Sequence, residues 1–100
     1  MSPAPRRFKL LARISSENPV VIKSVLEHTV GERCTIVPIE GGFEVSGELK
    51  GSSARDLNRW LLSEMRRAEK KTRIRAEWTS GETVEKFFDY VPKGTRKLAK

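Results

Sequence analysis

From Phe8 the chain alternates, with Phe8, Leu10, Ala12 and Ile14 on one side and Lys9, Leu11, Arg13 and Ser15 on the other. A period of two predicts a half-buried strand. Asn18-Pro19 then supplies a helix cap and a first-turn proline. Beyond it Ile22, Val25, Leu26 and Thr29 share a helical face, Lys23, Glu27 and His28 face away, and Gly31 marks the stop. Cys34–Ile39 is β-branched and apolar, Glu40-Gly41-Gly42 is a turn, and Phe43, Val45 and Leu49 alternate with Glu44, Ser46, Glu48 and Lys50. These features predict a hairpin, with Gly47 as a candidate bulge because it interrupts the inward series.

A second helix follows Gly51-Ser52-Ser53, with either serine as its cap and Asp56 in its first turn. Ala54, Leu57, Leu61, Met65 and Ala68 give it a core-facing stripe that is expected to run to about Lys71, with Trp60 and Leu62 flanking. Alternation returns at Arg73, where Ile74, Ala76 and Trp78 point in and Arg73, Arg75 and Glu77 point out. After a turn at Thr79-Ser80-Gly81-Glu82, the run from Thr83 to Val91 reads as a strand in preference to a short helix. The order predicts an α+β two-layer sandwich of the ferredoxin-like split β-α-β kind (β-α-β-β-α-β) with a short extra C-terminal element. Patterning leaves the strand order open. Residues 1–7 read as a flexible basic arm, 8–91 as a single domain and 92–100 as a basic tail.

A chain of 100 residues supports one core. One Cys excludes an internal disulfide framework, and one His leaves no expected zinc cluster. Cys34 is expected to be a buried structural thiol and His28 a plain surface histidine. No apolar run approaches the roughly 20 residues of a membrane span, and the first segment is too charged for a signal peptide. The expectation is a cytoplasmic protein that does not engage membranes.

The net charge of +7 is unevenly placed. Residues 1–15 carry +4, 51–75 carry +5 and 92–100 carry +4, whereas 16–50 and 76–91 carry −3 each. On an ideal second helix, Arg55, Arg59, Arg66 and Lys70 fall within about a 60° sector opposite the apolar stripe. Four cations spread over roughly 20 Å form a ladder suited to following phosphates. Arg67 and Lys71 widen it, and Arg6, Arg7, Lys93, Arg96 and Lys97 add basic ends. Local pairs such as Glu64 with Arg67 or Asp56 with Arg59 compete with this role.

Base readout has little support. The outward positions of the third strand are Glu44, Ser46 and Glu48, which are expected to pair with Lys9 and Arg13 of the first. Gly42-Phe43 is a fragment of the RNA-recognition pattern, and the Gly47–Gly51 spacing is one residue too long for a KH loop. No P-loop, dinucleotide fingerprint or nucleophile elbow is present, so neither an enzyme nor a cofactor is expected. The expected function is a non-enzymatic module that binds RNA or another polyanion through its phosphates with low sequence specificity. The alternative is a protein-interaction or dimerisation subunit that uses the sheet face or the aromatic cluster Trp78, Phe87, Phe88 and Tyr90.

Over about residues 8–78 the layout resembles two families. The hairpin Cys34–Lys50, then Gly51 and the helix from Ser53, is similar to the small ribosome-binding initiation factors of the SUI type. Ala54-Arg55-Asp56-Leu57-Asn58 resembles a helix start in the small dimer-forming subunit of the KEOPS tRNA-modification complex. Both resemblances imply ribosome- or tRNA-associated work for a compact basic module, and no site residue is carried over from either.

Overall fold

The computed structural model describes residues 6–97, and at residue 97 the backbone alone. The strands are β1 (Arg6–Ser15), β2 (Cys34–Ile39), β3 (Gly42–Gly51), β4 (Arg73–Ser80), β5 (Thr83–Phe88) and β6 (Val91–Lys97), and the helices are α1 (Pro19–Thr29) and α2 (Ala54–Ala68). One antiparallel sheet holds all six strands in the order β2-β3-β1-β4-β5-β6. Both helices pack on one face of it and against each other. The fold is therefore α+β with two layers. No helix of the described residues is long and apolar enough to cross a membrane.

Local chemistry explains each element. Pro19 opens α1, and the buried Ile22 and Leu26 seat it. The Ser53 hydroxyl caps α2 by accepting the Asp56 amide at 3.1 Å, while Ser52 donates to the Asp56 carboxylate at 2.8 Å. Leu57, Leu61, Leu62 and Met65 then meet the inward residues of β1 and β4, among them Phe8, Leu10, Ile14 and Trp78. Each large apolar side chain buried this way contributes roughly 1.5–3 kcal/mol. The inward and outward sets of β1 and β4 agree with the alternation in the sequence.

Four expectations need correction. The ferredoxin-like β-α-β-β-α-β arrangement with one short extra element is not matched, because two full strands, β5 and β6, extend the sheet beyond β4. Most of the expected basic tail is β6: Asp89, in the left-handed region at φ 55°, tightens the turn that sends residues 91–97 back along β5. Basic side chains do not oppose this, since lysine and arginine suit an edge strand. Residues 98–100 lie outside the described residues. At the other end Arg6 and Arg7 belong to β1, opposite Gly51 and Lys50, and residues 1–5 of the expected arm lie outside the described residues.

Gly47 marks no bulge. It sits in register with Leu10 and Cys34, and a Cβ there would overlap the Arg33 carbonyl oxygen and crowd Cys34. The irregularity in the sheet lies in the β5–β6 ladder instead, where Lys86 faces Gly94, Phe87 faces Pro92, and Lys93 is the extra residue.

Candidate nucleic-acid interface

The expected ladder along α2 does not form a continuous positive edge. The helix stops at Ala68, and Glu69 has an extended backbone (φ −145°, ψ 106°), so Lys70 and Lys71 leave the helical phase. The turn is held by Arg66, whose Nε donates to the Thr72 carbonyl at 2.9 Å. Arg66 also lies 3.4 Å from the Asp89 carboxylate, and its guanidinium covers the Tyr90 ring at 5.2 Å. This half-buried arginine is a structural tie that shares the single Asp89 carboxylate with Arg73. Arg67 pairs with Glu64 at 3.4 Å and Lys71 with Glu17 at 3.4 Å. Arg55 and Arg59 remain exposed, one turn apart, beside a groove of about 540 Å³ walled by Tyr90 and Pro92.

The basic ends are dispersed as well. Arg6 covers the Phe8 ring at 4.9 Å, and Arg7 approaches Glu48 at 3.8 Å. Lys93 and Arg96 are exposed on β6, whereas Lys97 contributes described backbone only.

The helix-free face of the sheet gathers what the helix does not. The register lines up Val37, Glu44, Arg13, Arg75, Phe88 and Val91 straight across all six strands. Phe88 is the hub of this row. The guanidinium carbons of Arg73 and Arg75 lie 4.7 and 4.8 Å from its ring centroid, and the Lys93 ammonium lies 5.9 Å away. Lys93 reaches the ring because the β-bulge adds it to the edge strand. Cation–π contacts at exposed sites contribute about 0.5–1 kcal/mol each, a preference of roughly two- to fivefold for that placement.

Pairing with carboxylates divides these cations. Arg13 meets Glu44 at 3.6 Å, in keeping with the cross-strand pairing the alternation predicts, although Glu48 pairs with Arg7 and not with Lys9. Lys86 meets Glu77 at 3.9 Å and Arg73 meets Asp89 at 3.2 Å. Among the described residues, Arg75 and Lys93 have no carboxylate within 4 Å. Two cations without a carboxylate within 4 Å among the described residues thus share one aromatic ring, at the side of a concavity of about 580 Å³ that Leu11, Arg13, Lys86, Glu44 and Glu77 also line. Charges of one sign gathered round one ring repel, and a nearby anion relieves the repulsion.

The aromatic cluster read from the sequence divides in two. Trp78 and Phe87 are core, while Phe88 and Tyr90 reach the surface. Of the sheet-face cations, Arg13, Arg73, Arg75 and Lys86 were not among the expected site residues. The outward alternation of Arg73 and Arg75 was a readable signal. Their placement against Phe88 depends on the β4–β5 register, which spacing along the chain does not give.

His28 is exposed, and among the described residues no three His, Cys, Asp or Glu side chains gather as a metal ion requires. Cys34 is half-buried and packs against the core, and burial raises its thiol pKa against the smaller opposing effect of Arg33. A raised thiol pKa keeps the sulfur protonated at neutral pH, and the thiolate is the reacting form. Alkylation of the folded protein by iodoacetamide at pH 7.5 is expected to be about tenfold slower than that of free cysteine, and to accelerate as the pH rises past 9. A rate equal to that of free cysteine would contradict this placement.

Compared with known proteins, the chain matches no family model, no curated protein and no solved structure.

Proposed function

We propose that the chain is a non-enzymatic RNA-binding module of low sequence specificity, and that it grips phosphates mainly through the helix-free sheet face. The observation that carries this reading is the convergence of Arg75 and Lys93, without carboxylate partners among the described residues, on the Phe88 ring. Arg13, Lys86 and Arg73 surround them with partly matched charge. Arg55 and Arg59 add a smaller basic patch beside Tyr90. Such a surface neutralises phosphates without the fixed donor pattern that base-edge readout needs.

A filter-binding titration against RNA at several salt concentrations tests the reading. Affinity is expected to fall steeply with salt, and charge reversal of Arg75 or Lys93 to glutamate is expected to reduce the slope of log K against log salt by about one unit per lost phosphate contact. Absence of binding at low salt, or binding indifferent to salt, defeats it.

A protein-interaction role is the second reading. It draws on Leu11, Val37 and Ile39, which are exposed at 50%, 46% and 39% on the same sheet face. Light scattering separates the two: a stable dimer that excludes RNA favours the second.

A further inference from the structure

We propose that the RNA this face takes is single-stranded, with an unpaired base laid on the stack formed by the Phe88 ring and the guanidiniums over it; the inference rests on the RNA-binding reading above. The first argument is the shape of the charge. Arg73, Arg75 and Lys93 all lie within 6 Å of one ring centroid, so they serve one or two phosphates at a point. A duplex presents phosphates in regular rows, and the feature suited to such a row, the edge of α2, is interrupted by the ion pairs of Arg66 and Arg67 and by the end of the helix.

The second argument is the aromatic ring. A duplex hides the faces of its bases, so an aromatic floor gives it nothing. A single strand exposes those faces, and they stack on aromatic rings and on guanidinium planes alike. Here both kinds of plane are already assembled. The Arg75 guanidinium has no carboxylate holding it among the described residues, so it is free to lie over a base as it lies over Phe88.

The third argument is room. The concavity of about 580 Å³ beside Phe88 falls in the range that encloses small ligands, and it is lined by the exposed apolar Leu11, by the cations Arg13, Arg75, Lys86 and Lys93, and by the carboxylates Glu44 and Glu77, which pair with Arg13 and Lys86. A base with its adjoining phosphate matches an apolar floor beside a rim on which four cations stand against two carboxylates.

The test compares an unstructured 12-nucleotide RNA with the same strand annealed to its complement, by fluorescence anisotropy at one fixed salt concentration. The single strand is expected to bind about tenfold tighter, although the duplex carries about twice the charge and gains more from counterion release. Arg75→Lys keeps the charge and removes the plane. It is expected to weaken single-strand binding by about fivefold, to leave duplex binding unchanged and to leave the salt slope unchanged. Phe88→Leu is expected to cost about tenfold, and Phe88→Tyr, which keeps the ring, to restore affinity. Thermal melting of each variant separates lost binding from lost folding. Equal binding of both RNAs, with Arg75→Lys silent, overturns this inference and leaves the RNA-binding reading standing. Failure of the unaltered protein to bind either RNA overturns both.

Discussion

Replacing Asn58 with leucine is expected to remove about 3 kcal/mol of folding stability, a drop in Tm of roughly 10–20 °C. Asn58 is a polar residue of α2 that is 1% exposed in an otherwise apolar layer. Its side-chain amide donates to the Asp89 carbonyl at 2.8 Å, and its side-chain oxygen accepts the Trp78 indole N–H at 3.2 Å. The bonds link the helix to the centre of β4 and to the β5–β6 turn. Leucine matches the shape closely and makes neither bond. The indole N–H is then buried without a partner and the part-buried Asp89 carbonyl loses its donor, at roughly 1–3 kcal/mol for a group fully cut off from water.

Trp78→Phe removes the other half of one bond. The double variant should therefore lose less than the sum of the two single losses, by about 1 kcal/mol. Urea denaturation followed by far-UV circular dichroism reads all four proteins. A midpoint for Asn58→Leu that matches the unaltered chain would show that the bonds contribute nothing.

The second large effect is expected at Gly42. A Cβ built there would overlap the Ile14 carbonyl oxygen and would sit 2.8 Å from the Ile14 carbonyl carbon and 3.0 Å from the Ser15 Cα. All three atoms are backbone, so no rotamer change gives relief and β1 must move away from β3. Gly42→Ala is expected to cost about 3 kcal/mol, at the severe end of overpacking, and to free the amides near Ser15 for hydrogen exchange.

Gly41 makes a useful contrast. It stands in the adjoining turn at φ 77° with open space around it, so alanine there meets conformational strain alone, about 1 kcal/mol. If the two alanine variants melt at the same temperature, close strand approach is not what Gly42 provides.

Much of this architecture is legible in the sequence because burial enforces periodicity. The alternation of Phe8 to Ile14 and of Ile74 to Trp78, and the stripe from Ala54 to Met65, place each residue on its observed face. The Ser53 cap is equally local. What fails to show is everything decided by a partner distant in sequence. β6 is rich in Lys, Arg, Pro and Gly because it is an exposed edge, and an exposed edge has the composition of a tail. The end of α2 is set by Arg66 reaching the Thr72 carbonyl and Asp89, so extending the helical phase to Lys70 and Lys71 could not succeed.

The candidate site follows the same rule. Phe88 and Arg75 are thirteen positions apart, and only strand pairing brings them opposite one another.

The two outermost strands share a property with consequences for the behaviour of many copies together. β2 carries Pro38 and β6 carries Pro92, each lacking the amide hydrogen that a newly added strand would need, and the kink at Lys93 spoils the straight run beside it. A neighbouring copy therefore finds no clean template at either margin, and the six-membered array ends where it is. Both borders thus disfavour the addition of a further strand.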